Sequence, residues 1–126
     1  MLDHISIGVR DVAKAKAFYD AAMKPLGYKA LHAGDTYAGY GKDDVAEYWI
    51  QASAKPVPPD MESGLHFCFK APDAEAVDAF YKAALKAGGK DNGKPGLRAD
   101  SGDNYYAAFV VDPDGYRLEA YCGAKT

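Results

Sequence analysis

The sequence predicts an α+β fold made of two tandem βαβββ modules. The first observation is an internal repeat: residues 4–27 align without a gap on residues 66–89, with nine identities in 24 positions. The second is that each copy begins with residues that alternate between apolar and polar and continues with a helical pattern. Since repeats define modules, we place module one at residues 1–53, a linker at 54–63 and module two at 64–126.

The first element of each copy is a β-strand. Ile5, Ile7 and Val9 alternate with His4, Ser6 and Gly8 in the first copy, and Phe67 and Phe69 alternate with His66 and Cys68 in the second. A period of two places the large apolar side chains on one face and each histidine on the other. His4 and His66 therefore occupy equivalent positions on the polar faces of two equivalent strands.

A helix follows each first strand. Asp11 and Asp73 are suited to cap the N-termini, and the helices are predicted to run to about Lys24 and Leu85. Glycines follow both helices, as is typical of a left-handed C-terminal cap. Each helix carries an apolar stripe that would cover one face of a sheet.

Short strands complete each module. In the first module they are predicted at residues 28–33, 36–41 and 45–52. In the second module a loop over residues 91–96 is expected to replace much of the first of these strands, and strands follow at 105–111 and 116–122. The sequence Asp112-Pro113-Asp114-Gly115 between the last two favours a type I turn. One continuous sheet from both modules is expected, because a single module is too small to bury its own core.

Composition limits the class of protein. The 126 residues are 48% hydrophobic and 26% charged, with a net charge of -3, and the basic residues are dispersed. A nucleic-acid partner is not expected, since no basic surface is evident. No segment is apolar enough to span a membrane, no secretion signal is evident, and the two cysteines lie in apolar runs, so we expect a cytoplasmic protein with reduced thiols.

The chain resembles the vicinal-oxygen-chelate superfamily, which contains glyoxalases, extradiol dioxygenases and bleomycin-resistance proteins. The resemblance spans nearly the whole chain and rests on the strand H-I-S-I-G-V-R-D, the Phe-Tyr pair in each helix, the second-module histidine and the final D-P-D-G-Y-R-L-E. In this superfamily two modules curl into a mixed-sheet cup that holds a metal ion. The resemblance implies His4, His66 and Glu119 as ligands, with Glu119 also catalytic.

The residues of the last strand support this ligand set independently. Arg117, Glu119 and Tyr121 share one face by parity, while the apolar residues between them would pack on the helices. Glu119 is thereby predicted to point to the same side as the two histidines. Two imidazoles and one carboxylate leave coordination positions open for substrate, and the ion is expected to be divalent Fe, Ni, Zn or Mn.

The fourth ligand position departs from the glyoxalase pattern. Alignment places Trp49 where a glyoxalase carries a glutamate, and an indole cannot bind a metal. Glu47 and Gln51 lie on the same face and would supply an oxygen ligand if the register shifted. Without a fourth ligand, the site would resemble that of an extradiol dioxygenase.

Two functions follow from the resemblance. The first is a divalent-metal-dependent lyase, isomerase or ring-cleaving dioxygenase that acts on a small oxygenated substrate. The alternative is a metal-free, bleomycin-resistance-type protein that binds a small molecule. Open sheet edges favour a homodimer in either case. The residues predicted to contact the substrate are Trp49, Arg98, Tyr106 and Tyr121. Arg98 follows a Gly-rich loop and would bind a carboxylate or phosphate, whereas His32 is expected to be a solvated residue.

Overall fold

A computed structural model of the protein describes residues 1–58, 60 and 62–123. It contains eight strands and two helices in the order βαββββαβββ, with a short 3₁₀ turn after the first helix. The elements are β1 Ile5–Val9, α1 Val12–Met23, β2 Lys29–Ala33, β3 Tyr37–Lys42, β4 Val45–Ala52, β5 Phe67–Lys70, α2 Ala74–Lys86, β6 Lys90–Leu97, β7 Tyr106–Val111 and β8 Arg117–Cys122.

The strands form two four-stranded mixed sheets of identical topology. Sheet A has the order β1-β4-β3-β2, and sheet B has the order β5-β8-β7-β6. In each sheet the first strand pairs in parallel with the last strand of its module, and the other pairs are antiparallel. The predicted duplication of a βαβββ module in an α+β fold is therefore confirmed.

The helix ends also agree with the sequence. The Asp11 carboxylate accepts a hydrogen bond from the backbone N–H of Lys14, and Asp73 does the same for Ala76, at 3.0 and 2.8 Å. Gly27, with φ of 89°, ends the 3₁₀ turn after α1 in the left-handed conformation. These caps fix where the chain leaves and re-enters each sheet.

The core lies between the helix-bearing faces of the two sheets. Phe18 and Tyr19 of α1 and Phe80 of α2 are fully buried in one apolar cluster that includes both modules. Tyr48 of β4 contacts Phe69 of β5 edge-on, with ring centroids 5.0 Å apart. Because these faces pack towards each other, the opposite faces of the two sheets, which we call the outer faces, point away from the core.

A buried polar cluster joins the modules. The Tyr19 hydroxyl donates a hydrogen bond to the Asp112 carboxylate and lies 2.8 Å from the Tyr48 hydroxyl. Asp112 also accepts from the backbone N–H groups of Asp114 and Tyr116, at 2.9 and 2.8 Å. The Asp112-Pro113-Asp114-Gly115 turn is thereby attached to the first module.

Two expectations about the strands were wrong. Residues 91–96 do not form a loop, because they belong to β6, whose backbone pairs with β7 through register shifts at Gly93 and Gly96. The two modules also do not share one continuous sheet within the chain. The edge strands β1 and β5 accept hydrogen bonds from tyrosine hydroxyls of the other module instead of pairing with each other. Tyr116 donates to the carbonyl of Gly8 in β1, and Tyr28 donates to the carbonyl of Lys70 in β5, both at 2.8 Å.

The predicted linker, residues 54–63, carries no helix or strand where the structure describes it, and Pro59 and Met61 lie outside the described residues. The module boundaries stay a prediction, although all elements before the linker belong to sheet A and all after it to sheet B. In the described part of the chain, no helix has the length and apolar character needed to cross a membrane.

Candidate functional site

The outer face of sheet B carries a buried carboxylate. Glu119 lies at the middle of β8, where it pairs with Cys68 of β5 on one side and Phe109 of β7 on the other. Its neighbours Leu118 and Ala120 are fully buried on the helix-bearing face, as parity predicts. Glu119 is nevertheless only 3% exposed, so both carboxylate oxygens need hydrogen-bond partners.

His66 and Tyr105 supply those partners. The Nε2 atom of His66 lies 3.0 Å from Glu119 Oε1, and the Tyr105 hydroxyl donates to Oε2 at 2.5 Å. Burial and the neighbouring Glu119 carboxylate raise the pKa of Tyr105, so its hydroxyl stays protonated as the donor. The ring of Tyr105 stacks on Tyr121 at 4.2 Å, which fixes its position.

Cys68 lies beside this group. Cys68 is an exposed residue, but partial desolvation of its thiol and the charge of the neighbouring Glu119 raise the thiol pKa to about 12. The thiol is therefore protonated near neutral pH and is a poor nucleophile. Of the two cysteines, Cys122 is buried against the core as expected from its apolar surroundings, whereas Cys68 belongs to the outer face.

The outer face of sheet A is aromatic. The Trp49 ring lies over Gly39, where a Cβ atom would come within 2.7 Å of the indole. The imidazole of His32 is nearly parallel to that indole, with centroids 5.5 Å apart and an interplanar angle of 12°. Tyr37 lies 6.4 Å away. His32 is exposed as expected, but the sequence did not reveal this stack.

The sheet register shows which residue occupies the fourth ligand position. Ser6 and Cys68 are equivalent in the repeat, 62 residues apart. Cys68 pairs with Glu119, and Ser6 pairs with Trp49. Trp49 is therefore the counterpart of Glu119, in agreement with the sequence alignment. Gln51 lies two residues beyond Trp49 on the same strand, whereas Glu47 lies at a register shift between β3 and β4 and lines the cleft between the modules beside Tyr48.

The structure brings together only two of the three principal ligand candidates. His66 contacts Glu119, whereas His4 precedes β1 and its Nδ1 atom lies 2.7 Å from the carboxylate of Asp3. Within residues 1–58, 60 and 62–123 of one chain, no three His, Cys, Asp or Glu side chains are grouped so that they could hold a metal ion. The predicted convergence of His4, His66 and Glu119 on one metal ion stays a prediction.

Two predicted substrate-binding residues lie on different faces. The Tyr106 hydroxyl donates to Asp78 of α2 at 2.6 Å, which places Tyr106 on the helix-bearing face. Parity directs Tyr105 rather than Tyr106 to the face of Glu119, and the substrate contact of Tyr106 stays a prediction. The Arg98 guanidinium lies over the Phe109 ring, 5.4 Å from its centroid, and Phe109 pairs with Glu119.

A wide cleft opens between the two modules, and its lining includes Cys68 of the outer face of sheet B. Its volume is about 1020 Å³, and its apolar walls include Met23, Tyr48 and Phe69 of the helix-bearing faces. His4 and His66 lie among the residues that line it. The two histidines thus lie at the ends of β1 and β5, where the cleft and the outer faces meet.

Comparison with known proteins gives a consistent result. The sequence model of the Glyoxalase/Bleomycin resistance protein/Dioxygenase superfamily matches residues 1–120. The uncharacterized protein YqjT of Bacillus subtilis (strain 168) is 26% identical over 122 residues, which cover 94% of this chain and 95% of YqjT.

Solved structures share the whole fold. A glyoxalase/bleomycin resistance protein from Albidiferax ferrireducens T118 superposes with a TM-score of 0.81 at 29% identity, covering 96% of this chain and 97% of that one. A glyoxalase/bleomycin resistance protein/dioxygenase family enzyme from Burkholderia phytofirmans PsJN gives a TM-score of 0.69 at 16% identity, with 94% and 95% covered. The second likeness shows the fold alone.

Proposed function

The chain belongs to the Glyoxalase/Bleomycin resistance protein/Dioxygenase superfamily, and we propose that it is a divalent-metal-dependent enzyme that acts on a small oxygenated substrate. The observation that carries the proposal is the pair formed by His66 and Glu119. A carboxylate that is 3% exposed on the face opposite the helices is costly to bury, and it directs an oxygen to an imidazole nitrogen 3.0 Å away.

The geometry of this pair fits two ligands of one ion. Ligand atoms at about 2.0–2.2 Å from a metal and at right angles to each other lie about 3 Å apart. The His66 Nε2 to Glu119 Oε1 distance is 3.0 Å. Tyr105 engages the other oxygen of Glu119, which leaves Oε1 as the ligand atom. Hydrogen bonds of this kind orient metal ligands in proteins.

The third ligand of the proposed site, His4, comes from a second copy of the chain. The outer faces that carry Trp49 and Glu119 point away from a common core, and β1 and β5 are sheet edges. A homodimer in which the outer face of sheet A meets that of a partner's sheet B would place His4 beside His66 and Glu119 and would cover the edges. Such a dimer contains two equivalent sites.

Trp49 at the fourth ligand position limits the reactions that the proposed metal site could catalyse. A divalent ion in this site would polarise a substrate oxygen. With Trp49 opposite Glu119, no second carboxylate is available at the fourth position to act as both ligand and base, as in a glyoxalase. The residues present favour a three-ligand site, as in a ring-cleaving dioxygenase, over the four-ligand site of a glyoxalase-type isomerase or lyase. In this site Trp49 would form a wall against the substrate.

Metal titration of purified variants tests this function. We expect the wild type to bind one Mn²⁺, Fe²⁺, Ni²⁺ or Zn²⁺ per chain, and His66→Ala and Glu119→Gln each to lose most of that affinity while the circular dichroism spectrum is retained. His32→Ala is the matched control, because this imidazole also lies on an outer face but stacks on Trp49. Undiminished metal binding by folded His66→Ala would refute the proposal.

A metal-free binding protein is the second candidate. At the position of the fourth metal ligand, the Trp49–His32 stack offers a flat aromatic surface on which a planar molecule could stack. Protein groups already form hydrogen bonds with both oxygens of Glu119, so this carboxylate does not need a metal ion as a partner. A wild type that binds none of the four ions, yet binds planar aromatic compounds with quenching of Trp49 fluorescence, would favour this function.

A further inference from the structure

Arg98 shares the outer face of sheet B with Glu119. Its backbone N–H donates to the carbonyl of Tyr105 at 2.7 Å, so the two residues lie opposite each other on neighbouring chain segments. The Tyr105 side chain reaches Glu119. The Arg98 side chain extends along the same face until its guanidinium covers Phe109, the residue that pairs with Glu119.

Contacts with β6 and Phe109 hold the guanidinium close to the sheet. One nitrogen donates to the carbonyl of Lys94 at 2.6 Å. A Cβ atom at Gly96 would come within 3.3 Å of Nη1, and one at Gly93 within 3.4 Å of Nη2, the nitrogen that donates to Lys94, so the guanidinium lies close against the backbone of β6. The half-buried Arg98 side chain is thereby held in one orientation by Phe109 below and by the strand beside it.

The charge of Arg98 is not balanced by an acid in the described part of the chain. The ion pairs there are His4–Asp3, Lys16–Asp20 and His66–Glu119, and none includes Arg98. A guanidinium has five N–H donors, and the contact with Lys94 uses only one. The remaining donors form a planar fork that matches the two oxygens of a carboxylate.

We propose that Arg98 binds a carboxylate group of the substrate and makes the site specific for small oxygenated carboxylic acids. This inference rests on the proposed function, because the reacting oxygens of the substrate would lie at His66 and Glu119. The negative charge of Glu119 repels an anionic group, so the carboxylate lies towards β6, one strand beyond Phe109. The stacked rings of Tyr105 and Tyr121 would contact the apolar body of the substrate between these two ends.

A matched pair of probes tests the inference. Catechol and 3,4-dihydroxybenzoate have the same vicinal oxygens, and only the second has a carboxylate. Calorimetric titration of the wild type should give a dissociation constant about tenfold lower for 3,4-dihydroxybenzoate, as expected for a hydrogen bond between charged groups. Arg98→Met should lose this preference, and Arg98→Lys should keep part of it. Lys94→Met, which removes an exposed charge from the same strand, should leave it unchanged.

The titrations are made on both metal-free and metal-loaded protein, so that this inference and the metal site fail separately. A preference that depends on Arg98 in protein that binds no metal would support the carboxylate site and refute the metal proposal. Equal affinity for the two probes, no saturable binding of 3,4-dihydroxybenzoate at millimolar concentration, or an unchanged preference in Arg98→Met would each overturn the inference about Arg98.

Discussion

The buried Asp112 should make the stability of this protein depend on pH in the direction opposite to that of a typical carboxylate. Burial raises the pKa of Asp112 from its ordinary 3.8 to about 6, although hydrogen bonds from the Tyr19 hydroxyl and the Tyr116 backbone N–H favour the ionised form. At about 1.4 kcal/mol per pH unit, the difference amounts to about 3 kcal/mol. Asp112 thus costs stability when it is ionised.

The sign follows from proton binding. Between about pH 4 and pH 6 the folded protein holds the Asp112 proton and the unfolded chain has released it, so the free energy of unfolding falls as pH rises. Below this range both states are protonated, and above it both are ionised. The penalty is therefore fully present at neutral pH and is relieved on acidification.

Asp112→Asn isolates this contribution. The asparagine oxygen can still accept from the backbone N–H groups of Asp114 and Tyr116. Its amide would donate to Tyr19, which reverses the hydrogen bond there and leaves the Tyr48 hydroxyl proton without its acceptor. This loss costs about 1–3 kcal/mol at every pH and does not alter the pH dependence.

Urea unfolding of both proteins, followed by circular dichroism between about pH 4.5 and pH 8, measures the difference. The stability of the wild type relative to Asp112→Asn should fall by up to about 3 kcal/mol as pH rises, and should then stay constant above about pH 7. The reasoning is refuted if this relative stability is independent of pH, or if it increases with pH because the three donors outweigh burial.

Three further substitutions test the site and the fold. Tyr105→Phe removes the donor to Glu119 Oε2 and should lower metal affinity by about 10–100-fold in a Mn²⁺ titration; unchanged affinity would exclude a positioning role. Gly39→Ala should push the Trp49 ring away from His32 and lower the free energy of unfolding by about 1–3 kcal/mol. Since Trp49 is the only tryptophan in the sequence, the fluorescence emission should shift to longer wavelength; an unshifted spectrum would contradict the contact between Gly39 and Trp49. Asp44 in the β3–β4 turn has a left-handed backbone conformation, with φ of 64°, and Asp44→Gly removes the strain of that conformation. After the greater entropy of glycine in the unfolded chain is subtracted, the free energy of unfolding should rise by about 0.5 kcal/mol in a urea titration; a decrease would show that Asp44 stabilises the turn.

Local pattern and the repeat predicted both helices and all the strands except β6. The alternation around Ile7 and Phe67 and the capping residues Asp11 and Asp73 specify strand and helix, because each depends on neighbours in sequence. The fixed offset of 62 residues predicts that the same module occurs twice. Strand β6 was missed since Gly93, Pro95 and Gly96 are typical of a loop. The strand forms because β7 supplies its hydrogen bonds, and that partner is distant in sequence.

The sequence predicted those features of the candidate site that depend only on the alternation of side chains between the two faces of a strand. Glu119 and Trp49 lie on the predicted faces, and the repeat relates them correctly. The substrate contact of Tyr106 stays a prediction, but parity points to Tyr105 instead, because positions 105, 107 and 109 alternate onto the face that meets Glu119. The Trp49–His32 stack depends on the pairing of β2 with β3 and of β3 with β4, and no local pattern encodes that register.

A mixture of two variants that each lack one metal ligand tests most directly the claim that the metal site is shared between two chains. His4→Ala and His66→Ala should each fail to bind Mn²⁺ as homodimers. After joint unfolding and refolding, about a quarter of the wild-type capacity should return, because random pairing makes half of the dimers heterodimers and each of these has one site with both histidines. No recovery in a mixture shown by native mass spectrometry to contain heterodimers, or full capacity in either variant alone, would contradict a site built from His4 of one chain and His66 and Glu119 of the other.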